Sequence, residues 1–331
     1  KTAYAILSGL VGSEMCIRDS LSSPSPAEKS KLSNFSDNGS INQGSLLVKI
    51  ENSFAEVELA GSNLKSFKVI KDLNKYDLVR FEPDGYVKSF VMAPWVNRIQ
   101  DGQFDCDKGN FNLLSENLYN IPHAIHGTVM MKTWDIHSKE SDSVTLKTDF
   151  GNLWPYDAEI TYEIRLDENN LIHELTIKNN DTNRMPFSAG WHPWFNRSIG
   201  SGEVKLYFTE MYRWELENNI PTSRKDKSLS FDPSKGFYPK PGLLDDCFRI
   251  EDQSKAILKW PEIELTIQSS IECGHLVVYT PSDDKADLIC VEPQTSTINC
   301  FQLHDKGVED TGIILLEPGA SKSVLSKWSW R

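Results

Sequence analysis

The longest regular pattern in the chain is an alternation of apolar and polar residues over residues 158–179. A first alternating run ends in turn-forming residues at 167–170, and a second run, 171–178, begins at once. The apolar members of the first run are Ile160, Tyr162, Ile164 and Leu166. A period of two is that of a β-strand with one buried face, so two such runs joined by a short turn predict an antiparallel β-hairpin.

Much of the remaining chain repeats this pattern in shorter runs that are bounded by turn-forming residues. We predict strands at 46–50, 55–59, 143–148, 203–208, 263–268, 275–279, 288–291 and 312–316. Only residues 112–119 have the character of a short helix, and no alternation of strands with helices is present. The sequence therefore predicts an all-β fold, a large antiparallel β-sandwich.

Composition limits the functions that such a fold can carry. With 39% hydrophobic and 25% charged residues, the 331-residue chain can bury a large core. Its 35 Lys and Arg against 47 Asp and Glu give a net charge of −12, which argues against a nucleic acid or an anionic membrane as partner. No apolar run reaches 18 residues, and the six cysteines are scattered without a CxxC pair. We expect a cytoplasmic protein with reduced cysteines.

The first 44 residues differ from the rest. Residues 1–21 imitate a signal peptide poorly, and the string VGSEMCIRDS resembles translated sequencing-adapter read-through. Residues 22–44 are rich in Ser, Asn, Pro and Gly, which bury too little apolar surface to offset the entropy of ordering. We therefore expect residues 1–44 to be a disordered or artefactual segment, and residues 45–331 to form one domain.

Four windows of the sequence are almost free of charge, although a quarter of the chain is charged. A lone polar group in such a window is a candidate for a site, because burying it without a partner is costly. The polar groups are Asn97 and Arg98 in the first window, His123 and His126 in the second, His192 in the third and Glu292 in the fourth. Strand alternation places Glu292 on one face with Leu288 and Cys290.

Each of these groups has a structural explanation as well. A histidine among aromatic residues, such as His192, is often a satisfied core residue, and Arg98 could be a purely structural partner of Glu292. The nine Trp residues could fill the core or stack on sugars. His123, His126 and His137 lack a Cys or acidic residue at ligand spacing, so we predict no metal site. The chain has no phosphate-binding glycine loop and no GxSxG motif.

Taken together, the four windows resemble the aldose 1-epimerase (mutarotase) family, whose members carry NRI, HG, HxYF and a C-terminal Glu in that order. The corresponding residues here are Asn97-Arg98-Ile99, His126-Gly127, His192-Pro193-Trp194-Phe195 and Val291-Glu292-Pro293-Gln294, and Asp245 of LLDDCF resembles a fifth family position. The resemblance spans residues 45–331. Asn196 is followed by Arg197, where galactose mutarotases have Asn-Leu, which leaves the sugar open.

The resemblance implies a galactose mutarotase-like supersandwich with an open cleft on one sheet. It implies that Glu292 is the base and His192 the acid, and that Asn97, Arg98, His126 and Asp245 bind a free hexose. Reference pKa values then predict an ionised Glu292 and, in acidic surroundings, a protonated His192. No metal or organic cofactor is expected, and the partner is a small-molecule sugar bound by a monomer or homodimer.

Three other functions remain open at this point. A hexose-6-phosphate 1-epimerase of the same fold would need more Arg or Lys in the cleft than Arg98 and Arg197. A non-catalytic carbohydrate-binding protein would not require both Glu292 and His192. A two-carboxylate glycosidase would pair Glu292 with Asp245 and leave His192 unexplained.

Overall fold

The structure is a computed structural model that describes residues 45–82, 87–114, 122–251, 255–283 and 286–331. The segment expected to be disordered or artefactual, residues 1–44, lies outside these ranges, and so does most of the helix expected at 112–119. Of the expected helix, residues 112–114 are described, and they are not helical. Asn112 ends a strand, and Leu113 and Leu114 lie in a turn.

The strands in the first half of the domain are β1 (Ser45–Ile50), β2 (Ser53–Glu58), β3 (Leu64–Lys71), β4 (Asn74–Asp77), β5 (Phe90–Met92), β6 (Arg98–Ile99), β7 (Gln103–Cys106), β8 (Gly109–Asn112), β9 (Ala124–Ile125), β10 (Asp135–Lys139), β11 (Ser143–Asp149), β12 (Ala158–Asp167), β13 (Asn170–Asn179), β14 (Met185–Phe187), β15 (Gly190–His192) and β16 (Trp194–Asn196).

The second half contributes β17 (Ser198–Ile199), β18 (Gly202–Glu203), β19 (Lys205–Phe208), β20 (Glu210–Glu217), β21 (Ile220–Asp226), β22 (Asp245–Ile250), β23 (Lys255–Lys259), β24 (Glu264–Ser269), β25 (His275–Tyr279), β26 (Leu288–Gln294), β27 (Ile314–Leu316) and β28 (Ser321–Trp330). Short 3-10 helices cover Gln100–Gly102, Val129–Met131 and Pro233–Lys235, and the α-helix α1 covers Cys300–Asp305.

The predicted hairpin is confirmed and forms the centre of one large sheet. β12 pairs with β13 from Ala158 opposite Asn179 to Asp167 opposite Asn170. Every second residue of both strands is buried, as the alternation predicted. The strand order of this first sheet is β10-β11-β12-β13-β28-β24-β23-β19.

A second large sheet has the order β21-β20-β22-β25-β26-β15-β5, with β16 continuing the edge of β26 beyond β15. Alternate residues of this sheet, among them Val91, Trp191, Val278, Ile289 and Val291, join the main hydrophobic core. The rings of Phe195 on β16 and Trp328 on β28 lie 5.1 Å apart and connect the two sheets. The two sheets therefore pack through one face each.

A smaller sheet, β1-β2-β3-β4, contributes its buried side chains to the same hydrophobic core. Phe67 of β3 contacts Trp330 of β28 with ring centroids 5.5 Å apart. All strand pairs among the described residues are antiparallel, so the predicted all-β, antiparallel sandwich is confirmed. No helix in the described part of the chain is long and apolar enough to cross a membrane.

Candidate active site

The second sheet carries two ionisable residues side by side on the face that points away from the main core. The pairs on either side of His192 are in register with β26, which places His192 opposite Glu292. These pairs are Gly190 with Gln294 and Trp194 with Cys290. His192 Nε2 lies 3.3 Å from Glu292 Oε1, and the two residues are 8% and 2% exposed. Strand register alone therefore brings the two predicted catalytic residues together.

A proline follows each member of this pair. Pro193 separates β15 from β16, and Pro293 lies within β26. Proline has no backbone N–H to donate to a β-ladder, so the strand is interrupted directly beside His192. Glu292 Oε2 finds no hydrogen-bond partner among the described residues, although it is buried. A buried carboxylate oxygen without a partner is suited to accept a hydrogen bond from a ligand.

Aromatic rings surround the imidazole of His192. The Phe90 ring is stacked on it at 4.9 Å between centroids, and the Trp194 ring lies at 5.5 Å. The His126 ring meets it edge-on at 5.0 Å. The sulfur of Cys290 lies 3.9 Å from His192 Nδ1. These contacts fix the ring plane and exclude water, so the imidazole lies in a low-dielectric environment.

Burial dominates the protonation of both groups. It lowers the pKa of His192 to about 4, an effect opposed by the backbone carbonyl of His192 and reinforced by the charge of Arg98. Burial also raises the pKa of Glu292 well above its usual value; Asp245 adds to this effect and Arg98 opposes it. The expectation of a fully ionised Glu292 beside a protonated His192 is therefore wrong for the free site, because reference pKa values omit desolvation.

The backbone of Arg98 is held by a very short strand pairing. β6 and β9 pair through only two residues each, with Arg98 opposite Ile125. The N–H of His126 donates to the carbonyl oxygen of Asn97 at 2.8 Å. Arg98 Nη1 donates to Asn97 Oδ1 at 3.1 Å, which orients the guanidinium. Asn97 thus shapes the turn that presents Arg98.

The His-Gly motif at 126–127 has a steric basis. His126 and Gly127 have φ values of 61° and 77°. A Cβ on Gly127 would lie 2.0 Å from the carbonyl oxygen of Ala93, so only glycine fits there. His126 Nδ1 lies 3.1 Å from the sulfur of Met92. Because a thioether only accepts hydrogen bonds, this contact leaves the lone pair of the imidazole on Nε2.

Asp245 lies two strands away from Glu292 in the same sheet. It is the first residue of β22, opposite Tyr279 on β25, and it is partly exposed. Its charge raises the pKa of both Glu292 and Cys290. The structure therefore brings the six sequence-predicted site residues into one region, with Asn97 acting through Arg98 and His126.

Several residues of the site were not predicted from the sequence. Phe90, Trp194 and Cys290 all contact His192. Each lies in one of the uncharged windows, but nothing local distinguishes them from core residues. Tyr279, whose ring meets Trp194 edge-on at 5.9 Å, had no signal beyond strand alternation.

One group of possible metal ligands exists among the described residues: His192, Cys290 and Glu292. However, Cys290 faces Nδ1 of the imidazole and Glu292 faces Nε2, so one ion cannot replace both contacts. Burial, followed by the charges of Glu292 and Asp245, raises the pKa of the Cys290 thiol well above its usual value, which disfavours the thiolate. The arrangement fits an acid-base pair in direct contact better than a metal cage.

Comparison with known proteins shows which family the chain belongs to. A family model described as aldose 1-epimerase matches residues 46–325. The chain belongs to the aldose 1-epimerase family. The uncharacterized protein YphB of Escherichia coli K12 is 25% identical over 249 residues, in an alignment that covers 70% of this chain and 80% of YphB.

Several solved structures share the fold of the chain. A galactose mutarotase-like protein from Clostridium acetobutylicum superposes with a TM-score of 0.74 at 20% identity, covering 87% of this chain and 95% of that one. A galactose 1-epimerase from Lactobacillus acidophilus NCFM superposes with a TM-score of 0.65 at 17% identity, covering 88% and 99%. These likenesses establish the galactose mutarotase-like fold.

Proposed function

We propose that this protein is an aldose 1-epimerase that interconverts the α and β anomers of a free hexose. The observation that carries the proposal is the direct contact of His192 Nε2 with Glu292 Oε1 at 3.3 Å, with Glu292 Oε2 unpartnered among the described residues. Anomer interconversion requires a base at the C1 hydroxyl and an acid at the ring oxygen. A carboxylate and an imidazole side by side provide both.

The reaction needs one proton on the pair. Glu292 takes the proton of the C1 hydroxyl, His192 gives a proton to the ring oxygen, and the bond between C1 and the ring oxygen breaks. The open aldehyde rotates about the C1–C2 bond and recloses, with Glu292 now the acid and His192 the base. The pair ends with the same single proton, so the cycle needs no cofactor.

Arg98 favours the ionised form of Glu292 in the starting state, although its charge also lowers the pKa of His192. Its positive charge lowers the pKa of Glu292, in opposition to burial and Asp245, and so favours the carboxylate that the base requires. A sugar hydroxyl donating to the unpartnered Oε2 would lower it further, because hydrogen bonds to the charged form favour that form. Substrate binding thereby prepares Glu292 as the base.

The sugar is held, in this proposal, by Arg98, His126 and Asp245. Arg98 would donate charge-assisted hydrogen bonds to sugar hydroxyls and the Asp245 carboxylate would accept them, and such bonds are stronger than neutral ones. Neutral His126 would accept at Nε2, and together these bonds would fix the ring between the two catalysts. Asn97 contributes by orienting the Arg98 guanidinium at 3.1 Å.

A free sugar fits this site better than a sugar phosphate. Besides Arg98, the motif segments contain one cation, Arg197. Its Nε lies 3.3 Å from Asp287 Oδ1, and its side chain is only 11% exposed. A dianionic phosphate would therefore meet one arginine and an overall charge of −12.

Two rival functions make different predictions. A glycosidase with Glu292 and Asp245 as its carboxylates would not need the His192 contact, and a non-catalytic sugar-binding protein would bind hexoses without accelerating the interconversion of their anomers. We further propose a cytoplasmic location, one domain over residues 45–331, and a monomer or homodimer.

Polarimetry tests the proposal directly. Freshly dissolved α-D-glucose and D-galactose, and the 6-phosphates of both sugars, are followed with wild-type protein and with the Glu292→Gln variant. We expect faster mutarotation of at least one free hexose with wild-type protein only. Hydrolysis of aryl glycosides without faster mutarotation would support the glycosidase. A rate of mutarotation equal to the uncatalysed rate, together with measurable sugar binding, would support the binding protein.

A further inference from the structure

The loop that presents Arg98 is held from the C-terminal side of the chain by Asn299. The N–H of Asn299 donates to the carbonyl oxygen of Arg98 at 2.8 Å. Its side-chain Oδ1 accepts a hydrogen bond from the N–H of Gln100 at 3.0 Å. One residue therefore holds the backbone on both sides of Ile99, and Asn299 itself is only 2% exposed.

The ordinary explanation for an asparagine at this position does not apply. Asn299 immediately precedes α1, where asparagine commonly caps the helix with its side chain. Here the side chain makes no capping hydrogen bond and is directed to Gln100 instead. Its backbone has φ of 57°, a left-handed conformation that asparagine tolerates better than most residues. Both the conformation and the side chain serve the contact with the Arg98 loop.

Gln302, on the first turn of α1, extends this contact. Its Nε2 donates to the carbonyl oxygens of Gln100 and Gln103, both at 2.8 Å. The distance between Asn299 Nδ2 and Gln302 Oε1 is 3.5 Å, so the two side chains form one connected group. The backbone from Arg98 to Gln103 is thus bound to the start of α1 at four points.

The start of α1 is also connected to Glu292 by a short buried segment. Asn299 follows Glu292 by seven residues, and Thr295, Ser296 and Thr297 between them are fully buried. The N–H of Thr295 donates to the carbonyl oxygen of Ala189, and that of Thr297 to the carbonyl oxygen of Thr311. Buried backbone, held by these two hydrogen bonds, therefore connects the strand of Glu292 with Asn299, whose own N–H binds the loop of Arg98.

We propose that Asn299 is a positioning residue that sets the placement of Arg98 relative to Glu292. The proposal rests on the proposed function for the role of Arg98 in sugar binding. Asn299 contacts only backbone atoms of the Arg98 loop and no reacting group, so its effect passes through sugar binding. Loss of the side chain should raise KM much more than it changes kcat.

The Asn299→Gly variant isolates the side chain, because glycine keeps the positive φ. We expect KM for the hexose that wild type turns over to rise about tenfold, with kcat changed less than about threefold. Asn299→Asp keeps an Oδ acceptor for the Gln100 N–H and should restore KM to within about threefold of wild type. Asn218→Gly is the matched control, since Asn218 also has a positive φ, 50°, but lies exposed in the β20–β21 turn.

A second measurement tests the contact without sugar chemistry. Amide hydrogen exchange of residues 98–103 should be faster in Asn299→Gly than in wild type and unchanged in Asn218→Gly. Calorimetric binding of 1,5-anhydro-D-glucitol, which has no C1 hydroxyl to react, should weaken in parallel with KM.

Two results would overturn the inference: unchanged exchange in Asn299→Gly, or faster exchange with unchanged KM and unchanged binding of the anhydro sugar. Failure of Asn299→Asp to restore KM would also count against it. If wild type turns over no hexose, the proposed function fails, and the contact then stands or falls on the exchange and binding results alone.

Discussion

His192 and Glu292 lie opposite each other on neighbouring strands, with Nε2 and Oε1 3.3 Å apart and a proline after each residue. The contact is built by strand register and needs no flexible loop. Burial drives each group towards its neutral form, so in the free site it favours the neutral pair, with the shared proton on Glu292, over the ion pair. We therefore expect the two residues to act as one unit, so that loss of either one removes most of the activity.

Replacing Glu292 with Gln should reduce mutarotation at least about 100-fold, the low end for loss of a positioned acid or base. The fold should survive, because glutamine is nearly isosteric and carries no buried charge. Polarimetry gives the rate, and thermal unfolding gives the stability. Glu168→Gln, in the exposed β12–β13 turn, is the control. Near wild-type turnover in folded Glu292→Gln protein would reject Glu292 as the base.

Replacing His192 with Asn should lower kcat more than it weakens sugar binding. The proton that His192 gives matters most as the ring oxygen leaves C1, so its loss acts on the transition state. Steady-state polarimetry at several sugar concentrations separates kcat from KM. An unchanged kcat with a raised KM would make His192 a binding residue.

Buried histidines should make the protein less stable as the pH falls from about 6.5 towards 4.5. Burial lowers the pKa of His173 and His275 to about 3 and that of His192 to about 4, against 6.5 for an ordinary histidine. In this window the unfolded chain binds protons that the folded chain does not. The stabilisation is complete above the unfolded pKa and is lost as the pH falls towards the folded values.

Urea unfolding at pH 7.5, 6.5, 5.5 and 4.8 tests whether the free energy of unfolding falls as the pH is lowered. Glu292, with its raised pKa, acts in the opposite direction, because it releases a proton on unfolding. Glu292→Gln should therefore show a steeper fall in unfolding free energy than wild type over the same pH range. A wild-type stability that is flat or rises as the pH is lowered would contradict the prediction.

A chain that begins at Gln43 should fold and turn over sugar like the full chain. β1 begins at Ser45, and the residues before it have no periodic apolar segment. Circular dichroism, thermal unfolding and polarimetry of the shortened protein provide the comparison. Insoluble or unfolded shortened protein would show that residues 1–42 contribute to the domain.

The rate of a neutral hexose should depend little on salt. Electrostatic steering by the protein acts only on a charged ligand, so kcat/KM for a free hexose should stay nearly constant between low and moderate ionic strength. A phosphorylated hexose, if it reacts, should show a kcat/KM that changes with ionic strength. Turnover of glucose 6-phosphate at least about tenfold more efficient than that of any free hexose would replace the proposed substrate class.

The elements that the sequence predicts well are those with one face buried and one exposed. β12 and β13 alternate over their full length, and their hairpin follows from the pattern. β26 is buried at all seven positions and does not alternate, so only its apolar run 288–291 was predicted as a strand, and its continuation to Gln294 was not. α1, with six residues, is too short for a helical period to show.

The sequence indicated residues that the structure brings together at the candidate site, but it did not indicate how they are connected. Isolated polar groups in uncharged windows led to His192 and Glu292, because burial of such groups is rare without a reason. The contact of Arg98 with Asn299 joins residues about 200 positions apart and leaves no local pattern. Protonation was wrongly predicted for the same reason, since the depth of burial depends on the whole fold.

The division of the second sheet into a core face and a site face limits how the chain can change length. Adjacent residues of a strand point to opposite faces of the sheet. Removing or adding one residue between Gly190 and Trp194 would therefore direct the His192 side chain towards the core and place an apolar neighbour on the site face. Substitutions at the rim can alter the site gradually. A single-residue insertion or deletion in this strand would exchange the side chains of its two faces in one step. The corresponding strands of homologous proteins should therefore vary in composition but keep a fixed length.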